Sequence, residues 1–497
     1  WICQDAFRDT GISEIALPDS LEHIGNSAFS GCKLTEIRIP ARVNEIDEGN
    51  SFLAGNDSLA KIEVDSGNKN FKVYGGALYA YENATKLAQN IPCRLVAYAT
   101  AHPDTSVRVL AGTKTIDSYT FARMDDSKPS KHSITELILP STLTAIEPYT
   151  IDLPSLKTLE IPDGVKALDS YAVCCEHLEV LTIGSGLQSF TPYAFGANGL
   201  PKLRSLTIAS GNPNLCAVDS VVYDKACTKL IYYPPAKTDT VYHMPDTVQE
   251  VGAGGITFID SLQEVFISKA LTKLPANSMS SNPYLRAVYF PGNAQGGYST
   301  AALDDSSEDL LIYILKDSTG WDTNGWQNMN YAYWDPKDNA VKEGTLSCGI
   351  SWAYEAGMGR LTLTGIGQAM PDYTINEEKP WQIFADDIQS VVTKNVSKIG
   401  NYTFSQAKNL RRVDADAALT EIGIYAFYGC PELLFFNNFT SLTTINSYAF
   451  SDDAKLESSL LLNRLKVMGN GVFQNFASVP FATLGPDCTM LGNYAFA

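Results

Sequence analysis

The chain has 497 residues, which is too long for one compact core, so it must form several domains or one repeat array. Its 37 Lys and Arg residues against 55 Asp and Glu residues give a net charge of −18, which disfavours nucleic acid and anionic membranes as partners. No run of about 18 apolar residues is present, so the sequence predicts no membrane span.

Residues 1–292 carry a sequence repeat with two apolar blocks. The first block follows the pattern I-x-x-x-[AT]-F and occurs at 2–7, 24–29, 116–121 and, with Phe in the first position, at 190–195. The second follows L-x-x-[ILV]-x-[ILVF]-P, as at 34–40, 156–162 and 285–291, and its alternation predicts one short strand that Pro ends. The turn around each Phe is too short for a stable helix, so a single helical or 3₁₀ turn is predicted there.

Two insertions interrupt this first array, near 66–112 and 210–248, and they resemble each other. Asn68-Lys-Asn-Phe71 is followed seven residues later by Leu78-Tyr79, and Asn212-Pro-Asn-Leu215 is followed seven residues later by Val222-Tyr223. Alternating, Tyr-rich segments around a polar turn predict a β-hairpin in each insertion. We expect both hairpins to project from the array without breaking it.

The period is lost between residues 293 and 340, a segment that contains an acidic run at 304–309 and the residues Trp321, Trp326 and Trp334. We interpret it as an irregular capping or linking segment. A different unit follows at 341–390, where the glycine-flanked, alternating segment 359–365 precedes Pro380-Trp381. This unit is predicted to be a small β module.

A second array follows at 391–497, and its Phe anchors step by 23 residues: Phe404, Phe427, Phe450, Phe473 and Phe496. A fixed period of 20 to 29 residues is typical of leucine-rich repeats. The predicted fold class is therefore a leucine-rich repeat right-handed solenoid of short parallel strands with short helical or 3₁₀ turns. It includes two inserted β-hairpins and a small β module between the two repeat arrays.

The motifs A-F-x-G-C, L-x-x-I-x-I-P and I-G-x-x-A-F, the paired insertions and the G-x-L-T-x-x-G-x-G unit together resemble the BspA-like leucine-rich repeat family of bacterial surface proteins. The resemblance extends over nearly the whole chain. It implies an extracellular or cell-surface location, because members of that family are secreted or surface proteins, and some are adhesins for host matrix proteins or other bacteria. The family offers no catalytic motif to carry over, and a fold alone does not identify a ligand.

The sequence contains no recognisable catalytic or metal-binding constellation. The five histidines are scattered and form neither HExxH nor a close Cys/His cluster, and His23 and His177, at polar repeat positions, are expected to be solvated. The acidic run could supply oxygen ligands to Ca²⁺, but its spacing fits no EF-hand, and a solvated loop is the expected alternative. We therefore predict no catalytic residue, no metal site and no cofactor.

The ten cysteines are too sparse for a disulfide scaffold. Cys32 and Cys430 follow Gly at the same repeat position, and the Cys174-Cys175 pair falls beside it, which favours small buried thiols in successive repeats. Whether any two cysteines form a disulfide stays open.

We predict that the binding site is on the solvent-facing row of the strands in the first array. The outward position changes from polar at Arg38 and Glu63 to apolar or aromatic at Ile138, Phe266 and Tyr289. Exposed aromatic residues dominate many interfaces, so Ile138, Phe266 and Tyr289 are the predicted binding residues. The alternative is that the loops after Pro291 fold back and cover them as a cap.

The predicted function is that of a secreted or cell-surface protein that binds an extracellular protein or cell-surface ligand, with adhesion to host matrix or other cells as the expected role. One alternative is a structural stalk that displays another domain. A second is a glycan-binding or glycan-processing surface protein, in which exposed tryptophans stack on sugars. The tryptophans considered for this are Trp321, Trp326, Trp352 and Trp381.

Overall fold

Short strands joined by tight turns make up most of the chain. The structure is a computed structural model that describes residues 1–122, 131–197, 199–323, 325–453, 455–476 and 481–497. It divides into two compact units, the first formed by 1–285 with 295–308 and the second by 286–294 with 309–497. The predicted solenoid of parallel strands is confirmed. The domain boundaries expected at 292, 340 and 390 stay predictions.

In the first unit, the strands of the L-x-x-I-x-I-P blocks line one wall, where they pair in parallel with their neighbours in several small sheets. Alternate residues point inward, so Leu159 and Ile161 are buried while Thr158 and Glu160 are exposed. The register between neighbours matches the repeat, because Leu159 pairs with Leu181. The strands of this wall are Glu36–Ile39, Lys61–Val64, Ser106–Arg108, Glu136–Ile138, Thr158–Ile161, Val180–Ile183, Ser205–Ile208, Val241–His243 and Glu264–Phe266.

A second row of two-residue strands contributes to the same hydrophobic core. Leu168 and Phe190 of this row pack in one cluster with Leu159 of the wall. The strands of the second row are His23–Ile24, Glu45–Ile46, Thr115–Ile116, Ala145–Ile146, Ala167–Leu168, Ser189–Phe190, Glu250–Val251, Lys273–Leu274 and Gly297–Tyr298.

Antiparallel strands occur in both insertions: Phe71–Tyr74, Ala77–Ala80 and Arg94–Tyr98 in the first, and Leu215–Val218, Val221–Asp224 and Lys229–Tyr232 in the second. In each insertion the third strand also pairs in parallel with the next two-residue strand, through Arg94 with Thr115 and Lys229 with Glu250. The hairpins therefore begin new sheets within the second row, so the expectation that they project from the array was wrong.

The two insertions start with the same side-chain contact. The amide of Asn68 donates to the carbonyls of Pro40 and Val43, both at 2.9 Å, and its oxygen accepts from the Phe71 amide at 2.8 Å. Asn212 repeats this pattern, with its amide donating to two carbonyls of the preceding repeat and its oxygen accepting from the Leu215 amide at 2.9 Å. One Asn thus anchors each hairpin to the repeat before it.

Arg94 fills the gap that the first hairpin leaves in the second row. Its guanidinium donates to the carbonyl of Ile46 at 2.6 Å and to the carbonyl of Asp47 at 3.1 Å, and it contacts the Asp117 carboxylate at 3.2 Å. Both Arg94 and Asp117 are buried. The side chain therefore satisfies buried carbonyls that a following strand would otherwise satisfy.

Regular helical segments are short. The first unit has an α-helix at Ala84–Ala88 and 3₁₀ turns at Pro192–Phe195 and Thr300–Leu303; the second unit has 3₁₀ turns at Trp326–Asn328, Ala356–Met358, Gln382–Asp387 and Phe439–Ser441. Around other Phe anchors the chain forms hydrogen-bonded turns, as between the Tyr428 amide and the Tyr425 carbonyl at 3.3 Å.

The segment 293–340 is more regular than expected. Its strands Leu311–Ile314 and Tyr331–Tyr333 pair in parallel, and Leu311–Ile314 also pairs in parallel with Ala287–Tyr289. Paired residues are 24 apart from Ala287 to Leu311 and 19 apart from Ile312 to Tyr331. Because these steps are unequal, no fixed sequence period marks the two strands.

The module at 341–390 joins the second array through a shared sheet. Val341–Thr345, Ser351–Glu355 and Arg360–Thr364 are antiparallel, and Ser390–Lys394, Arg412–Ala415 and Phe435–Asn437 follow in parallel. The remaining strands of this unit are Lys398–Ile399, Glu421–Ile422, Thr444–Ile445, Leu460–Leu462, Val467–Met468, Ala482–Leu484 and Met490–Leu491.

Two aromatic ladders follow the 23-residue period of the second array. The Phe anchors stack with centroids 5.2 to 5.5 Å apart. Two residues before them, Tyr402, Tyr425 and Tyr448 form a half-exposed ladder with centroids 5.1 and 5.0 Å apart. These tyrosines have positive φ angles of 50°, 54° and 59°, and Gly471 holds the same position with φ 56°.

A buried amide or carboxyl side chain closes the turn after several anchors. Asn56 accepts from the Leu34 amide at 3.0 Å and donates to the carbonyls of Phe29 and Leu53. Asn282 makes the equivalent three contacts in its own repeat. Asp453 accepts from the Cys430 amide at 2.7 Å, but its second oxygen is buried without a hydrogen-bond partner.

Candidate binding surface

The outward row of the first wall is mostly polar, as predicted for a strand face in contact with water. Across paired strands, Arg38 lies beside Glu63, and Thr182 lies between Glu160 and Thr207. Several of these groups satisfy each other, since Arg38 forms two 2.6 Å contacts with Asp65 and the hydroxyls of Thr207 and Thr182 are 3.2 Å apart.

Ile138 departs from this polar pattern. It is half-exposed and lies in a groove of about 430 Å³ on the strand face, at the point where Glu136–Ile138 and Thr158–Ile161 lie side by side. The groove is acidic, because Glu136, Glu160 and Asp163 all line it. Asp163 accepts from the amide and the hydroxyl of Ser185, at 2.6 and 2.9 Å, and these hydrogen bonds lower its pKa.

Phe266 is also half-exposed, and its ring lies flat on a histidine of the neighbouring strand. The centroids of Phe266 and His243 are 4.3 Å apart and their planes are 12° from parallel, because the two residues pair directly across parallel strands. The outward aromatic side chain expected at this position is therefore present, and it shares its face with an exposed imidazole.

Tyr289 is fully buried, so its assignment to an exposed binding patch was wrong. Its ring stacks on Tyr313 at 4.4 Å and meets the edge of Trp334 at 5.2 Å. Its hydroxyl accepts a hydrogen bond from Arg360 at 2.7 Å. Trp334 and Arg360 follow Pro291 in the chain, and they cover the outward face of the strand Ala287–Tyr289.

Most of the tryptophans considered for sugar stacking are also part of a core. Trp321 and Trp326 are buried against Phe290, and Trp381 is buried and stacks on Phe404 at 5.7 Å. Buried rings offer no face to a sugar. Trp352 remains partly accessible on the sheet of the 341–390 module.

The histidines do not come together in an active site within the described residues. His177 is exposed as expected, whereas His132 is buried against Tyr98 and Phe121, and burial lowers its pKa to about 4. His23 is only partly exposed, which differs from the solvated residue expected, and its Nε2 lies 2.8 Å from Asp47.

Three potential metal ligands meet at His23, where the sequence showed only separate repeats. Candidate ligand atoms of His23, Glu45 and Asp47 lie within 4.8 Å of one another, because His23 and Glu45 pair across adjacent strands. The Asp47 carboxylate already accepts from His23 and from the Asn26 amide at 3.2 Å. These contacts account for the arrangement as a hydrogen-bonded link between repeats. The acidic side chains of Asp304, Asp305 and Glu308 are exposed.

The buried repeat cysteines occupy the expected positions. Cys32, Cys175 and Cys430 are buried, and the thiols of Cys32 and Cys430 lie 3.0 and 3.2 Å from carbonyls of the preceding repeat. Burial raises the pKa of Cys430 well above its usual range. Sequence reasoning missed a different pair, Cys216 and Cys227, whose sulfur atoms are 3.3 Å apart.

Among the described residues, no helix has the length and apolar character required to cross a membrane.

No curated protein was found to match the chain. Solved structures that match the chain include a leucine-rich repeat protein from Eubacterium ventriosum, at 18% identity, 76% coverage of this chain, 84% of that chain and a TM-score of 0.30. A leucine-rich cell surface protein from Faecalibacterium prausnitzii matches at 14% identity, with 90% and 85% coverage and a TM-score of 0.33. A leucine-rich repeat protein from Bacteroides ovatus matches at 15% identity, with 95% and 87% coverage and a TM-score of 0.27.

The family model described as "BspA type Leucine rich repeat region" matches in six copies, over residues 1–92, 97–218 and 385–497. These ranges span more than half of the chain and include the anchors Phe29, Phe121 and Phe427. The chain therefore belongs to the BspA-type leucine-rich repeat family.

Proposed function

We propose that the chain is a secreted or cell-surface protein that binds an extracellular protein through the outward strand face of its first unit. The observation that carries this proposal is the half-exposed Ile138 in its acidic groove. A wall with only a structural role gains nothing from an apolar side chain at this position, because the paired strand places Arg108 beside Ile138 and the following strands place Glu160 and Thr182 in the same row. The location rests on the family resemblance.

The charges of the groove favour a partner segment with basic side chains. Elsewhere on this wall acidic residues have basic neighbours, as Glu179 has Arg204 at 3.2 Å. Within the described part of the chain, neither Glu160 nor Asp163 forms an ion pair with a basic side chain. An extended segment that places Lys or Arg beside these carboxylates and an apolar side chain on Ile138 would complement both features.

The proposal is tested in two steps with the whole chain. A pull-down against extracellular matrix and cell-envelope proteins identifies a partner, and surface plasmon resonance then compares Ile138→Asn and Glu160→Lys with the wild type. We expect each substitution to weaken binding at least about tenfold, which corresponds to about 1.4 kcal/mol, and we expect added salt to weaken wild-type binding.

Glu63→Lys is the matched control, because Glu63 is in the outward row but does not line the groove. It should bind as the wild type does, at most with a small change in association rate. Equal affinity of all three variants for the identified partner would exclude the groove. If no surface or matrix protein binds, the alternative of a structural stalk gains support. Phe266→Ala tests the second half-exposed site separately.

A further inference from the structure

The hairpin of the second insertion contains two cysteines that face each other. Cys216 lies on the strand Leu215–Val218, opposite Tyr223, and Cys227 lies in the turn before Lys229–Tyr232. Their sulfur atoms are 3.3 Å apart, although the residues are separated by 11 positions in the chain. Both side chains are partly exposed.

The backbone around both thiols is held in place by the hairpin. The Cys227 amide donates to the Asp224 carbonyl at 2.9 Å, and the Cys227 carbonyl accepts from the Thr247 hydroxyl at 2.8 Å. The Asp224 carboxylate caps the turn by accepting from the amides of Thr228 and Lys229. The short distance between the thiols is therefore set by the fold and needs no chain movement to arise.

We propose that Cys216 and Cys227 are a disulfide site, which closes when the folded chain meets a low-molecular-weight disulfide such as oxidised glutathione. A disulfide has an S–S bond of about 2.05 Å, so closure requires only a small rotation of the two side chains from their present separation. This inference is independent of the proposed binding function.

The reaction balances as two thiol–disulfide exchanges. One thiolate of the pair attacks a sulfur of oxidised glutathione and releases the first glutathione thiolate, which leaves a mixed disulfide on the protein. The second cysteine thiolate attacks the protein sulfur of that mixed disulfide and releases the second glutathione thiolate. The two protons lost by the cysteines are taken up by the two glutathiones, so the protein loses two electrons and glutathione gains them.

The corresponding hairpin of the first insertion offers a comparison within the same chain. There, Lys72 pairs with Tyr79 as Cys216 pairs with Tyr223, so one of the two sulfur positions is occupied by an amine. Cys93, the cysteine of that insertion, lies 3.4 Å from the Ala80 carbonyl. Only the second hairpin therefore places two thiols face to face at this position.

The test uses the folded whole chain, treated with oxidised glutathione at mildly alkaline pH because burial raises the pKa of Cys216 to about 11. After denaturation and alkylation, we expect eight of the ten cysteines to be labelled, compared with all ten in the reduced chain. Trypsin cuts after Lys225, so the disulfide should join peptide 205–225 to peptide 226–229, which mass spectrometry identifies directly.

Cys93→Ser is the matched control and should form the same joined peptides, whereas Cys216→Ser should not. The oxidised wild-type chain should also melt at a higher temperature than the reduced chain, because the cross-link restricts the unfolded state. Labelling of all ten cysteines after oxidation of the folded wild type, or a link from Cys216 to a cysteine other than Cys227, would overturn the proposal. Either result is obtained with the wild-type chain alone, and neither would affect the proposed binding function.

Discussion

The ring of Phe427 stacks on the ring of Phe450 with centroids 5.2 Å apart and planes only 9° from parallel. Phe404 and Phe473 continue the ladder on either side, at 5.5 Å from Phe427 and from Phe450 respectively. The main-chain amide of Phe427 also donates to the Ala449 carbonyl at 2.8 Å. Adjacent repeats are thus joined at one position by both ring stacking and a hydrogen bond.

Replacing an inner ring of this ladder should destabilise the second array. Phe427 is fully buried, so we expect Phe427→Ala to lower the free energy of unfolding by about 3 to 5 kcal/mol, through lost burial and the cavity left behind. Urea denaturation followed by circular dichroism measures the change. Phe496→Ala is the control, because Phe496 is 42% exposed and its loss should cost clearly less. Equal effects of the two substitutions would argue against the ladder as a source of stability.

The tyrosine ladder predicts an unusual order of stability at Tyr425. Its φ of 54° is unfavourable for any residue with a Cβ, so Tyr425→Gly should be about 1 kcal/mol more stable than Tyr425→Ala, although both lose the same ring. Thermal melts of the two variants give the comparison. At Lys408, which is not among the positive-φ residues, Ala should be the more stable of the same pair. An Ala variant at 425 as stable as the Gly variant would show that the backbone there relaxes freely.

Replacing Asp453 by Asn, the residue found at the equivalent turns, should stabilise the folded chain. Asp453→Asn can donate as Asn56 and Asn282 do, so we expect a gain of about 1 to 3 kcal/mol in unfolding free energy at pH 7. Burial raises the pKa of Asp453 in the folded state, so the wild type loses stability as pH rises above the usual carboxyl range. The gain should therefore shrink towards pH 4.

The reciprocal substitution is the control for this prediction. Asn56→Asp places a carboxyl at an equivalent buried position, where it loses the donor to the Phe29 and Leu53 carbonyls, and it should destabilise the first unit. Denaturant titrations of both variants between pH 4 and pH 7 measure the differences. A destabilised Asp453→Asn variant would mean that the two turns are not equivalent.

His132 should make stability sensitive to mild acid. Its folded-state pKa of about 4 lies below the usual imidazole value, so the unfolded chain takes up this proton first as pH falls. The stability that the neutral His132 side chain contributes is fully present above about pH 6.5 and is lost progressively down to pH 4, by on the order of 3 kcal/mol. His132→Phe keeps the ring packing but cannot be protonated. The difference in unfolding free energy between this variant and the wild type should therefore grow on acidification. A pH-independent difference would show that His132 is not the source of the acid sensitivity.

The sequence was sufficient to predict the repeat fold because the signals for it are local. The alternation around Leu159 and Ile161 depends on residues two positions apart, and the Phe anchors recur after only one repeat of 23 residues. The strands Leu311–Ile314 and Tyr331–Tyr333 were missed, since their unequal steps remove the periodic signal. The tyrosine ladder has a regular spacing, but its left-handed backbone could not be predicted, because tyrosine usually avoids positive φ angles.

The binding surface was less predictable because exposure depends on distant residues. Ile138 and Phe266 are half-exposed at outward positions, whereas Tyr289 is covered by Trp334 and Arg360, which lie 45 and 71 residues further along the chain. Strand periodicity gives the direction of a side chain and not what packs on it. The approach of Cys216 to Cys227 likewise depends on how the hairpin of the second insertion closes.

The same position in successive repeats, with the same positive φ, is held by Tyr402, Tyr425, Tyr448 and Gly471. This equivalence limits how mutation can change the length of the array. Each copy meets its neighbours through the same few positions, so recombination within the gene can add or remove a complete 23-residue copy and still leave matching surfaces at the junction. Deleting a single codon between Tyr425 and Tyr448 would instead shift one copy out of step with both neighbours. We would therefore expect natural variants of the second array to differ in length by whole copies.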